Sequence, residues 1–120
     1  MKYVLLVYQN PGAFEALAEE QRAALMAEFE AFNKQIEASG EFVGGSALAH
    51  PDTAKTVRAS NGVPAATDGP FAEAKEQLAG FYVVDVEGAE RAVEIARLDP
   101  ASRLWAIEVR PIMDSVGADI

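Results

Sequence analysis

Ionisable side chains crowd one short stretch of this chain, Asp68-Gly69-Pro70-Phe71-Ala72-Glu73-Ala74-Lys75-Glu76. A corner built on Gly69 and Pro70 needs those two residues for its backbone. It does not need Asp68, Glu73, Lys75 and Glu76 packed around them, and charge gathered on a loop between rigid elements is where binding and catalytic groups tend to sit. Asp68 offers a carboxylate that can bond the turn backbone, serve as a base, or do both. Glu73, Lys75 and Glu76 read either as a solvated ion-pair cluster or as a lid whose Lys75 meets a substrate carboxylate or enolate oxygen. His50, the one histidine, sits in the turn-like His50-Pro51-Asp52. It is either an exposed turn residue or, aimed into a crevice, a proton shuttle. Arg58 is a cation available to an anionic ligand, and Tyr8 and Tyr82 are core or cavity-wall residues whose hydroxyls can reach one. Arg110 shares a face with Glu108, which reads as a structural ion pair or as part of an anion site.

Other chemistries find little support. The chain has no cysteine, which removes disulfides, thiolate catalysis and cysteine-bound zinc. One histidine and scattered carboxylates give no metal-ligand spacing, so no metal is expected. There is no Gly-x-Gly-x-x-Gly or phosphate loop, and no Ser or Thr has a base at suggestive spacing. No cofactor is implied.

The elements that must position these residues belong to a chain of 120 residues, half of them hydrophobic and 24% charged. That is the make-up of one ordinary soluble globular domain spanning 1–120. The net charge of −9 repels phosphate backbones and anionic lipid, so neither nucleic acid nor a membrane surface is an expected partner. The apolar start runs straight into Gln9-Asn10-Pro11-Gly12 and reads as a strand, not a leader. Nothing approaches the length of a membrane helix, and the cytoplasm is the default location.

Residues 2–9 form a strand by composition. Asn10-Pro11-Gly12 breaks it. Residues 14–39 read as one helix, with Leu25, Phe29, Phe32 and Ile36 as its apolar stripe and Ser39-Gly40 as its stop. Residues 42–49 form a second strand, in which Gly44-Gly45 signals a bulge or a close backbone approach. Residues 54–59 and 63–67 flank Ser60-Asn61-Gly62 and read as a hairpin. Residues 78–86 make another strand. Residues 88–98 make a helix with Ala89, Ala92, Val93 and Ala96 on one face, ended by Asp99-Pro100. Residues 104–112 make the last strand, Trp105, Ile107 and Val109 opposite Glu108 and Arg110.

The order predicts an α+β, ferredoxin-like βαββαβ fold with an inserted β-hairpin. Both helices of such a fold cover one sheet face. Yet the first strand is apolar on both sides, Tyr3, Leu5 and Val7 against Val4, Leu6 and Tyr8, and Phe81 and Val83 against Tyr82 and Val84 repeat this in the 78–86 strand. A second apolar face left in water is a large sticky patch, so a second copy of the sheet is the natural cover and a homodimer is expected. A crevice between the sheet and its own hairpin then becomes the expected ligand cavity, with Phe71 plugging the corner into the core.

The stretch from Asp68 to Glu76 resembles the Asp-Gly-Pro-Phe motif of the YCII-related proteins. Gly80-Phe81-Tyr82, Ala89-x-x-Ala92, Ile107-Glu108-Val109-Arg110-Pro111-Ile112, Met1-Lys2-Tyr3 and Thr56-Val57-Arg58 fall where the other signatures of that family fall. The resemblance implies a dimeric α+β barrel, its sheets facing each other across a two-fold axis. It also implies kinship with proteins found beside or fused to extracytoplasmic-function sigma factors. The wider group includes a dehydrochlorinase of aromatic degradation, for which a His–Asp pair is proposed as the active site, with the His on the first helix. Here residues 14–39 contain no His, while Asp68 matches the motif.

These observations point to a cofactor-independent enzyme acting on a small anionic or aromatic molecule by proton transfer or elimination. Asp68 and His50 are its candidate catalytic groups. Arg58, Glu73, Lys75 and Tyr82 are its candidate substrate-binding groups. The alternative is a non-catalytic ligand-binding or accessory module tied to a sigma-factor pathway.

Overall fold

A computed structural model describes residues 1–113. In chain order the elements are β1 (Lys2–Gln9), α1 (Glu19–Ala38), β2 (Phe42–Ala47), β3 (Lys55–Ser60), β4 (Val63–Asp68), β5 (Gln77–Asp85), α2 (Ala89–Leu98), α3 (Ala101–Leu104) and β6 (Ala106–Pro111), with a single 3₁₀ turn at Pro51–Thr53. Strands β2, β5, β1 and β6 lie side by side in that order as an antiparallel sheet, and β3 pairs only with β4. This is the ferredoxin-like arrangement, with β3–β4 as the insertion.

Local chemistry sets most of these boundaries. Gly12 adopts φ 83° and turns the chain after β1, so α1 starts at Glu19 and not at residue 14. The Gln21 side chain accepts from the Ala18 amide at 3.1 Å, pinning the first turn. Gly40, at φ 78°, ends the helix in the left-handed conformation that glycine adopts freely. Asn61 and Gly62 are both left-handed, at φ 52° and 81°, the signature of the tight hairpin turn expected there. The short helix α3, absent from the sequence reading, follows Asp99-Pro100 and delays β6 to Ala106.

The core lies between the sheet and the two long helices. Tyr3 and Leu5 of β1 and Val84 of β5 meet Phe32 and Ile36 of α1 and Ala92, Ile95 and Ala96 of α2. Of the expected α1 stripe, Leu25, Phe32 and Ile36 are buried, whereas Phe29 is half-buried and stacks on Trp105, ring centroids 6.4 Å apart. The glycine pair in β2 does both things expected of it. The ladder slips between Phe42 and Gly44, and a Cβ on Gly45 would stand 2.5 Å from the Phe81 carbonyl oxygen, so only glycine lets β2 press onto β5.

The other sheet face carries Val4, Leu6 and Tyr8 beside Phe81, Val83, Glu108 and Arg110, as the strand registers require. Val4, Leu6, Tyr8 and Val83 are half-buried and Phe81 is exposed. No helix of the described residues covers this face. Arg110 donates to Glu108 at 2.6 Å, and the Tyr8 hydroxyl reaches the same carboxylate at 3.4 Å.

The hairpin corrects one expectation. It does not close over the sheet, and no crevice forms between them. Every residue of β4 is exposed, and in β3 only Thr56 is half-buried. The connection into β3 is the 3₁₀ turn Pro51–Thr53, capped by the His50 side chain, which accepts from the Asp52 amide at 3.1 Å. The connection out is Gly69, at φ 96°. Together they carry the hairpin off the body.

Candidate functional site

The sheet end where β1 and β2 finish and β5 and β6 begin holds an opening beneath α1. Helix α1 stands far enough off the sheet there to leave a cavity of about 480 Å³, within the ~300–1,000 Å³ range of small-molecule sites. Its walls are rich in aromatic side chains: Phe14, Phe29 and Phe32 from the α1 side, Phe42 from β2, Tyr82 from β5, and Trp105. Gly45 and Gly80 line it from the strands, so close strand approach helps to shape the wall.

At the wall formed by β5 and the α2–α3 junction sits Asp99, 4% exposed and the buried polar residue of the core. One carboxyl oxygen accepts from the Tyr82 hydroxyl at 2.9 Å. The other accepts from the Ala101 amide at 2.9 Å, an Asx turn that starts α3. No cation touches it in the bonds of the described residues. Burial raises the Asp99 carboxyl above its usual 3.8, and the hydrogen bonds from Ala101 and Tyr82 offset only part of that rise. Burial first, and then the neighbouring Asp99 charge and hydrogen bond, push the Tyr82 hydroxyl up as well. A carboxyl raised by burial and held by a hydroxyl at the wall of a cavity is a candidate for proton exchange. The charged residues lining the cavity are Glu15, Glu37 and Asp99, and neither Lys nor Arg is among them.

Among the candidate site residues named from the sequence, Tyr82 alone lines this cavity. Asp68 ends β4 with its side chain 87% exposed and pairs across the hairpin with Lys55. Arg58 lies over the Phe71 ring, 5.1 Å from its centroid. Phe71 is 72% exposed and does not plug the core: Gln77 donates to the Ala72 and Ala74 carbonyls at 2.9 and 3.0 Å, which fixes the corner facing outward. Glu73 and Lys75 lie exposed on that corner. His50 borders a separate opening of about 90 Å³ with Gln9, Glu15 and Gln77. Asp68, Arg58, Glu73 and Lys75 are thus exposed residues of the hairpin and its corner, and the His50 Nδ1 accepts from the turn's Asp52 amide.

Asp99 was read in the sequence as the end of a helix. Its signal was nevertheless present. Ala92, Ile95 and Ala96 make the buried stripe of α2, and Asp99 falls at the next position of the same stripe, where an apolar residue belongs. Among the described residues no group of three or more His, Cys, Asp or Glu could hold a metal ion, and no helix is long and apolar enough to cross a membrane.

Comparison with known proteins agrees with this architecture. An uncharacterised protein of Rhizobium meliloti (strain 1021) is 32% identical over 116 residues, covering 93% of this chain and 92% of the relative. Among solved structures, the 5-chloro-2-hydroxyhydroquinone dehydrochlorinase of Burkholderia phenoliruptrix AC1100, in complex with 2,5-dihydroxybenzoquinone, superposes with a TM-score of 0.55. That match covers 99% of this chain and all of the other at 16% identity, a likeness of fold. The YCII-related domain matches residues 1–115, and the chain belongs to the YCII-related family.

Proposed function

We propose that the cavity beneath α1 binds a compact aromatic molecule and that Asp99, held by Tyr82, exchanges a proton with it. The observation that carries this reading is the buried Asp99, bonded to Tyr82 and to no cation among the described residues, beside a cavity rich in aromatic side chains. Of the two ligand classes suggested by the sequence, the lining favours the aromatic over the anionic. A ring can stack against Phe29, Phe32 and Trp105, whereas an anion would meet three carboxylates and no cation. Asp99 takes the proton-handling role that the sequence suggested for Asp68 and His50. Proton transfer at the bound ring, or an elimination that it starts, is the chemistry one carboxyl and one hydroxyl can support without a cofactor. The fold likeness to a dehydrochlorinase solved with a quinone ligand is compatible with this ligand class.

Trp105 is the only tryptophan and lines the cavity, so its fluorescence reads occupancy directly. Hydroquinone is a suitable neutral probe. Saturable quenching is expected, weakened at least about tenfold by Asp99→Asn or Tyr82→Phe, the loss of one buried hydrogen bond to the ligand or within the pair. No quenching by hydroquinone, catechol or chlorinated phenols would defeat the reading. Binding without turnover across that panel would favour the non-catalytic module.

We further propose that the protein is a homodimer. Support comes from Val4, Leu6, Tyr8, Phe81 and Val83, an apolar patch beside the Glu108–Arg110 pair on the sheet face that no helix of the described residues covers. A second sheet packed face to face is the usual cover.

A further inference from the structure

The small opening beside His50 adjoins the aromatic cavity. Gln9, Glu15 and Ala79 line both. Along β5 the lining passes without a gap, from Gln77 to Ala79 in the small opening and from Ala79 to Tyr82 in the large one. The neighbouring chain does the same: Gly45 to Ala47 line the large opening, and Leu48 to Pro51 line the small one. The Leu48 amide donates to the Ala79 carbonyl at 2.8 Å, so strand pairing holds the two together across the join. The openings are two ends of one trough, with the Asp99–Tyr82 pair in the larger.

A bulge makes the smaller end polar. The β1–β5 ladder slips between Val7 and Tyr8 and leaves Ala79 without a partner on β1. One extra residue reverses the side-chain alternation beyond it. Gln77 therefore comes opposite Gln9, on the sheet face that Tyr82 also occupies. The Gln77 amide nitrogen donates to the Ala72 and Ala74 carbonyls. Its carbonyl oxygen is left as an acceptor that no bond among the described residues uses. Glu15 stands where the two openings meet, next in sequence to Phe14 of the large one. Among the described residues, neither Lys nor Arg lines either opening.

We infer that the ring bound in the cavity carries a short side chain ending in a protonated amine, which lies at the join against Glu15 and the Gln77 carbonyl oxygen. Charge selects the amine, because the trough offers carboxylates and amide oxygens and the whole chain carries −9. The aromatic walls favour it too, since ring faces attract a cation. Ala79 lies three residues along β5 from Tyr82, about 10 Å at the rise of a strand, so the side chain has two or three carbons. This inference rests on the aromatic-ligand reading above and adds the group that orients the ring toward Asp99.

Four phenols that differ at the end of a two-carbon side chain test it. Tyramine ends in an ammonium, tyrosol in a hydroxyl, para-hydroxyphenylacetate in a carboxylate and para-ethylphenol in a methyl group. The hydroxyl is the rival, because the His50 Nδ1 is taken by the Asp52 amide and the neutral ring then has an Nε2 proton to donate. Binding to the full chain is followed by Trp105 fluorescence. Tyramine is expected to bind at least threefold more tightly than tyrosol, and para-hydroxyphenylacetate most weakly. Glu15→Gln is expected to bring tyramine within twofold of tyrosol. Glu90→Gln makes the same change in net charge at an exposed position that lines neither opening. It is expected to keep the preference, which separates a local contact from the field of an acidic chain. Binding of tyrosol and para-ethylphenol with tyramine less than threefold tighter than tyrosol overturns the amine and leaves the aromatic ring standing. A tyramine preference that survives Glu15→Gln overturns the site at Glu15. No binding by any of the four overturns both readings.

Discussion

Asp68 and Asp99 are both aspartates at chain reversals, Asp68 before Gly69-Pro70 and Asp99 before Pro100, and the structure puts them in opposite worlds. Asp68 stands in solvent beside Lys55 at the root of the hairpin. Asp99 is buried among helix and strand side chains, with a hydroxyl and an amide for partners. Clustering of charge in sequence marked the first and passed over the second. The difference teaches that charge density along a chain finds where side chains are solvated. Proton chemistry instead needs a carboxyl whose solvent has been taken away.

The two regions should respond to truncation very differently. Phe32 is buried and meets Tyr82 edge-on, ring centroids 6.1 Å apart, so Phe32→Ala is expected to cost about 3–5 kcal/mol in denaturant unfolding. Phe71→Ala, on the outward corner, is expected to stay within about 0.5 kcal/mol. Phe29→Ala should fall between them, because half of that ring already faces the cavity. Equal costs for Phe32 and Phe71 would mean that the corner is packed and the contrast is false.

Next in size is the pair of carboxylates itself. Asp99→Ala leaves the Tyr82 hydroxyl and the Ala101 amide without their acceptor inside the protein, a loss of about 2–3 kcal/mol. Asp68→Ala removes one exposed ion pair and is expected to change stability by less than about 1 kcal/mol. Urea midpoints measured side by side decide it, and a large cost at Asp68 would restore the corner as a structural or functional centre.

Most of the architecture was legible because it is encoded locally. Alternation placed Leu5 and Leu6 on opposite sheet faces, the Leu25–Ile36 spacing gave α1 its buried stripe, and Asn61-Gly62 fixed the hairpin turn. Tyr82 was legible as a cavity-wall hydroxyl because its neighbours alternate around it. What could not be read is where a locally correct element goes. Nothing within residues 55–68 says whether the hairpin folds back or stands away. That depends on the two connecting turns, at Pro51–Thr53 and at Gly69. Asp99 was missed because Asp-Pro is so good a helix stop that its place on the α2 stripe escaped notice. Helix α3 was missed with it, being a product of that Asx turn.

The smallest expected effect contrasts two carboxyls within the folded body, through their opposite pH dependence. Glu41 accepts from Arg91 through both oxygens, at 2.7 and 2.8 Å, and that pairing holds its carboxyl at about 2, below the usual 4.5. A carboxyl depressed on folding adds stability that is full above pH 4.5 and is lost as pH falls toward about 2. Asp99 runs the other way. Its carboxyl is raised by burial above 3.8, so its contribution is full below that pH and declines as pH rises through the raised value. The Glu41–Arg91 pair is partly solvated, which screens its share. Unfolding midpoints of wild type, Glu41→Gln and Asp99→Asn between pH 2 and 8 separate the two. Glu41→Gln is expected to flatten only the acid limb and Asp99→Asn only the limb at higher pH. If Asp99→Asn leaves that limb unchanged, the Asp99 carboxyl is not raised on folding and cannot be the carboxyl that trades a proton in the cavity.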